Sequence, residues 1–110
     1  MTATGLVQTL PNCTKCGGIT EALRVAWMAY EHNVLYVPHG WNTAVGLAAD
    51  LHLVAAVPVA RYVEYLTPCV YLDELITEPF VPDAEGYLRI PEKPGLGIEL
   101  NREALQRFGR

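Results

Sequence analysis

The stretch Asn33-Val-Leu-Tyr-Val-Pro-His-Gly-Trp-Asn-Thr-Ala-Val-Gly-Leu-Ala-Ala-Asp-Leu-His-Leu-Val-Ala-Ala-Val-Pro58 decides the fold class. Val34 to Pro38 is a compact run of strand-forming apolar residues, which suits a strand buried on both faces of a parallel sheet. His39-Gly40-Trp41 follows as a loop. Asn42 or Thr43 can cap the next helix, which should run to about Val57 and stop at Pro58. That helix is apolar almost all round, interrupted by Asp50 and His52, so it should be covered on more than one side.

The same alternation continues outward in both directions. Upstream, Gly5 to Leu10 reads as a short strand ending at Pro11. Gly17-Gly18 opens a helix whose apolar positions Ile19, Ala22, Leu23, Ala26 and Tyr30 recur at helical spacing. Asn33 provides a left-handed stop. Downstream, Arg61 to Leu66 reads as a third strand, with Tyr62, Glu64 and Leu66 on one face and Arg61, Val63 and Tyr65 on the other. Strand, helix, strand, helix, strand with short connections implies parallel strands joined by crossover helices. Three parallel strands alone leave two unpaired edges and a poorly covered face, so the unit is expected to belong to something larger. After Pro68 the character changes: a short helix at Tyr71–Ile76, a hairpin pairing Glu78–Val81 with Tyr87–Ile90 around Asp83–Gly86, then a loop over Pro91–Gly97. A last helix, Arg102–Phe108, is capped by Asn101 with Glu103 in its first turn.

The 110 residues carry a net charge of −4 with scattered basic residues, which argues against nucleic acid or an anionic membrane as partner. The first ten residues lack the basic opening and apolar core of a signal peptide, and no apolar run approaches the length that spans a bilayer. Cys13, Cys16 and Cys69 make an odd count, which favours free thiols and a cytoplasmic location over a disulfide framework. Cys13-x-x-Cys16 without a second pair is a weak zinc signal. As a redox motif it stands at a strand-to-helix turn, where two small packed residues serve equally well. The pairs Gly17-Gly18 and Gly95-x-Gly97 match neither the dinucleotide nor the Walker pattern and read as turn glycines.

Three polar residues fall at the C-terminal ends of the expected strands, the face where alternating barrels hold their active sites: Asn12, His39 and Glu64. An imidazole at His39 can act as acid or base, or can simply bond a backbone carbonyl. A carboxyl at Glu64, buried among Tyr62 to Leu66, would favour its neutral form and donate to a substrate oxygen, or pair with a basic neighbour. Trp41 either walls a site or packs at the rim. His52 reads as a packed residue and His32 as a surface one.

With these residues in place, the run LPNCTKCGGITEALRVAWMAYEHNVLYVPHGWNTAVGLAADLHL (residues 10–53) resembles the mandelate racemase/muconate lactonizing enzyme family of the enolase superfamily. So do ARYVEYL, ITEPF and the tail RIPEKPGLGIELN. The resemblance implies an α/β fold, a partial TIM-type barrel holding the last three parallel strands and two crossover helices, with residues 1–67 in the barrel and residues 68–110 as a tail packing back on barrel or cap. It implies that the family's acid/base histidine falls on His39 and its electrophilic glutamate on Glu64. The aspartate that pairs with the histidine falls on Asn12, an uncharged amide under which the imidazolium is less favoured. Trp41 is implied as a substrate contact. The PHGWNTAVGLAA stretch looks most like acid-sugar dehydratases, which remove a proton beside a carboxylate and then lose water, with Mg2+ stabilising the enediolate. The implied Mg2+ ligands and catalytic lysines have no counterpart in this chain. The expectation is therefore a segment that is inactive by itself and needs further barrel strands or an oligomer. The alternative is a non-catalytic remnant, or one subunit of a split enzyme acting as an interaction module. The implied ligand is a small sugar-acid carboxylate.

Overall fold

The structure is a computed structural model and describes residues 8–109. Two short strands, β1 (Gln8–Thr9) and β2 (Leu35–Tyr36), pair in parallel with Gln8 opposite Leu35 and Thr9 opposite Tyr36. The first expected strand starts at Gly5, and residues 5–7 lie outside the described residues. Between the strands runs α1 (Ile19–Glu31), entered through Gly17 and Gly18 at positive φ and closed by Asn33 at φ 54°. This left-handed residue ends the helix, its N–H bonding back to the Tyr30 carbonyl. The buried side of α1 is a stripe of alanines, Ala22, Ala26 and Ala29, whose small side chains let the helix lie close to its neighbours.

The second crossover helix, α2 (Ala44–Ala56), follows Thr43 and gives way to extended backbone at Val57 before Pro58. It is buried nearly all round, as its composition requires. One side packs with Cys13 and Ala22 through Ala49 and Leu53. Another side, through Ala44, Leu47 and Leu51, meets Leu72, Leu75 and Ile76 from the C-terminal segment. Tyr36 of β2 is fully buried beneath α1 with Ala26, Ala29 and Val57.

The third expected strand is reduced to one parallel bridge, Tyr36 to Ala60, and residues 61–66 extend without a ladder. The reason lies in the donors of the neighbouring segment. The N–H groups of Val37 and His39 turn toward the first strand, reaching the Thr9 carbonyl at 3.1 Å and the Pro11 carbonyl at 3.0 Å. The alternate positions 36, 38 and 40 face the third segment. Tyr36 donates to the Val59 carbonyl at 3.1 Å, but position 38 is a proline with no N–H to continue the ladder. At position 40 the donor goes to a side chain, as described below.

The expected hairpin also fails to form a ladder. Its turn is present, with Asp83 Oδ1 accepting from the N–H groups of Glu85 (3.0 Å) and Tyr87 (2.8 Å), but Pro79 and Pro82 remove donors from one flank. A short helix, α3, covers Val70–Asp73, overlapping the Tyr71–Ile76 read as helical but starting and ending earlier. An isolated antiparallel bridge, Ile76 to Leu100, ties the tail together before α4 (Arg102–Phe108). Asn101 caps α4 as expected, its Oδ1 accepting from the N–H groups of Glu103 (3.1 Å) and Ala104 (3.3 Å).

Candidate functional site

Everything of chemical interest gathers around the turn 39–42, which leaves β2 and enters α2. Four anchors hold it. The His39 N–H donates to the Pro11 carbonyl. The Gly40 N–H donates to Glu64 Oε2 at 2.8 Å. The Trp41 carbonyl accepts from Asn12 Nδ2 at 3.4 Å. The Asn42 N–H bonds back to the Gly40 carbonyl at 2.9 Å, while its side-chain Nδ2 donates to Asp50 Oδ2 at 2.9 Å.

Glu64 therefore sits one residue from His39 across the gap where the ladder stops. The approach is close enough that a Cβ on Gly40 would lie 2.5 Å from the Glu64 carbonyl oxygen and 2.6 Å from the Glu64 Cβ. Only glycine fits there. The expectation that Glu64 is buried is corrected: the residue is exposed, and its carboxylate accepts from backbone N–H. The alternation that placed it among apolar neighbours holds for sequence but not for cover, because no strand lies beyond residues 61–66 in the described structure.

Asn12 is buried at 8% exposure, but its amide is not directed to an imidazole. Oδ1 accepts from Thr14 N (3.0 Å) and Thr14 Oγ1 (2.5 Å), closing a turn of its own chain, and Nδ2 reaches the Trp41 carbonyl. Asn12 thus holds the backbone of the loop that carries His39. His39 is half-buried, and Trp41 is 66% exposed, its ring standing clear of the loop.

Sequence reasoning passed over Asp50. It lies in the middle of α2, fully buried, with Asn42 as its hydrogen-bond partner. Burial pushes its carboxyl above the ordinary aspartate range; the neighbouring Cys13 thiol, the Asn42 amide and the charge of His39 act the other way. A signal was present: an acid inside a helix apolar all round must be buried, and a buried acid must find a partner. The fully buried Tyr36 has its phenol pushed up first by burial and then by Asp50.

Cys13 is buried against α2, its thiol 3.9 Å from the Gly46 carbonyl, and burial together with Asp50 pushes it up to about 12. A thiol so far from its thiolate is a poor nucleophile, so the redox reading of Cys13 and Cys16 finds no support. All three cysteines are free. His52 bonds the Leu96 carbonyl at 3.4 Å, and His32 bonds the Met28 carbonyl at 2.9 Å; the first is part-buried and the second lies at the surface, as read from sequence. Among the described residues no three His, Cys, Asp or Glu side chains converge as a metal site, and no helix is long and apolar enough to cross a membrane.

The chain is similar to known proteins over most of its length. The chain is 37% identical over 107 residues to D-galactarolactone cycloisomerase of Agrobacterium fabrum, covering 89% of this chain and 28% of the relative. It is 34% identical over 101 residues to muconate cycloisomerase 1 of Rhodococcus opacus (88% and 26%), and 33% identical over 109 residues to D-galactonate dehydratase of Xanthomonas campestris (94% and 28%). An enolase from Agrobacterium radiobacter with Na and L-malate bound superposes with a TM-score of 0.81 at 28% identity, over 92% of this chain and 29% of that one. A mandelate racemase/muconate lactonizing enzyme-like protein from Rubrobacter xylanophilus gives 0.79 at 30% identity, over 91% and 26%. The chain spans about a quarter of the length of these relatives. A family model described as enolase C-terminal domain-like matches residues 2–104, and the chain belongs to that family, within the mandelate racemase/muconate lactonizing group of the enolase superfamily.

Proposed function

We propose that this chain is the C-terminal part of the barrel of an acid-sugar dehydratase, residues 1–67 supplying the last barrel strands and residues 68–110 the tail. The substrate is an aldonate or aldarate, and the reaction is loss of a proton beside the carboxylate followed by loss of the β-hydroxyl as water. The observation that carries this reading is the bond between Glu64 Oε2 and Gly40 N, which sets a carboxylate beside His39. In this role His39 moves a proton, delivering it to the departing hydroxyl. Glu64, with Oε2 engaged by Gly40, leaves Oε1 for a substrate oxygen. Asn12 fixes the Trp41 carbonyl and so the loop, and the exposed Trp41 ring closes over the sugar acid.

Family membership implies Mg2+, which would stabilise the enediolate. The acids of this chain do not fit it. Asp50 is enclosed in α2, Asp73 Oδ2 accepts from Cys69 N, and Glu74 pairs with Arg107. None of these carboxylates holds the metal in this reading. The reading has the remaining strands supplied by further barrel segments, within one polypeptide or by a partner. Exposed Trp27, Met28 and Tyr62 support such cover. The free thiols fit a cytoplasmic location. The rival reading, a non-catalytic remnant or interaction module, shares the fold but not the chemistry.

A chimera separates them: this chain replaces the matching C-terminal segment of the Xanthomonas D-galactonate dehydratase, and dehydration of galactonate is measured with Mg2+ present. The dehydratase reading expects turnover that is abolished by His39→Ala and kept by Asn12→Asp. A folded chimera without turnover, or one indifferent to His39→Ala, sinks it.

A further inference from the structure

The buried acid of α2 has an unfinished set of hydrogen bonds. Asp50 Oδ2 is bonded by Asn42 Nδ2, yet Asp50 Oδ1 and Asn42 Oδ1, the other oxygens of the same two groups, are both buried without a donor. The Tyr36 hydroxyl is the third buried polar atom without a partner among the described residues, but the two orphaned oxygens on Asp50 and Asn42 belong to groups already joined at one point, and a single proton shared between them would satisfy both. None of the three ion pairs among the described residues involves Asp50. The titratable groups around it are Cys13 and Cys16 from the turn after Asn12, Tyr36 from β2 and His39 from the loop. Charge neutralisation by a Lys or Arg, the usual solution for a buried carboxylate, is not what this site uses.

We infer that Asp50 holds a proton and pairs at two points with the Asn42 amide, accepting from Nδ2 and donating from Oδ1 to Asn42 Oδ1, and that this pair positions the turn bearing His39. The connection is continuous. The Asn42 N–H bonds the Gly40 carbonyl, and the Gly40 N–H bonds Glu64, so the Asn42 side chain sets the turn against which Glu64 rests. Gly46 belongs to the same device, since a Cβ there would lie 2.7 Å from Asn42 Cγ and displace the amide. Burial of Asp50 favours the protonated form in the same direction. Asp50 is thus a positioning residue. Its bearing on catalysis rests on the dehydratase reading, whereas the pair itself does not.

The test uses the full chain labelled with carboxyl-13C aspartate, which gives three resonances from Asp50, Asp73 and Asp83, the first identified by its loss in Asp50→Asn. The Asp50 carbon is expected to titrate above the ordinary aspartate midpoint of about 3.9. Asparagine copies the neutral acid at both contact points. Asp50→Asn should therefore keep the Gly40 amide's hydrogen-exchange protection within about twofold, while Asp50→Ala loses about tenfold, the loss expected for one such bond. An Asp50 carbon that titrates at or below the ordinary value overturns the shared proton. An asparagine variant as damaging as the alanine variant does so too, and Gly40 protection that survives Asp50→Ala overturns the positioning role. No readout involves turnover, so failure of the dehydratase reading leaves these outcomes standing.

Discussion

Replacing Gly40 by alanine probes the contact on which the site is built. The added Cβ would lie 2.5 Å from the Glu64 carbonyl oxygen, 2.6 Å from its Cβ and 2.8 Å from its carbonyl carbon. Ordinary van der Waals contact begins near 3.4 Å, so β2's exit and the residue-64 backbone must separate by roughly 1 Å. Both are backbone, and neither can step aside by changing rotamer. That separation also stretches the 2.8 Å bond from Gly40 N to Glu64. Overpacking of this kind costs about 1–3 kcal/mol, and the lost bond adds about 1 kcal/mol. Alanine's smaller unfolded-state entropy offsets about 0.4–1 kcal/mol. The net expectation is a loss of about 1–4 kcal/mol, read as a lower urea midpoint at unchanged slope. A midpoint within experimental error of the parent would mean that Glu64 does not lie against Gly40, and the placement of its carboxylate next to the residue after His39 would go with it.

Three further outcomes follow from the same structure. Because the folded Asp50 carboxyl is raised, the native state binds more protons than the unfolded chain above pH about 4. The stability of the parent relative to Asp50→Asn should therefore fall as pH rises, by at most about 1.4 kcal/mol per pH unit until the folded carboxyl ionises, as measured by urea unfolding across pH. A difference that grows with pH would reverse the sign and refute the raised value. Asn101→Ala removes the oxygen that caps α4 and should cost about 1 kcal/mol in the same assay; no change would place the cap's contribution elsewhere. Cys13, pushed up to about 12, should be the slowest of the three thiols toward a disulfide reagent at pH 8 in the folded chain, with mass spectrometry locating the adduct. Modification of Cys13 first would show that its burial is not maintained.

Helix α1 was legible because its apolar residues recur on one stripe and Asn33 can adopt the left-handed geometry that ends it. β2 and α2 were legible from Val34–Pro38 and from the long apolar run before Pro58. Residues 61–66 have strand composition, but pairing depends on the neighbour's donors, and Pro38 has none to give. The proline that marks the end of one strand thus silences the next, a relation between distant residues that local pattern does not carry. Pro79 and Pro82 acted in the same way on the expected hairpin, while its turn at Asp83 was read correctly. Strand-end position brought His39, Glu64 and Asn12 forward, and the structure gathers Glu64 and Asn12 on the two residues after His39. It did not foresee that Asn12 would turn its oxygen to Thr14, nor that Asn42 would serve Asp50 rather than cap α2. Those choices are made by which partners lie within 3 Å after folding.

In the proposed function, His39 after β2 and Glu64 in the neighbouring segment 61–66 address one small carboxylate. A crystal structure of the chimera with a sugar acid bound tests it most directly. The account predicts an imidazole nitrogen of His39 and a carboxyl oxygen of Glu64 each within hydrogen-bond distance of the same bound molecule. A ligand that touches neither, or side chains found on opposite faces of the sheet, would contradict it.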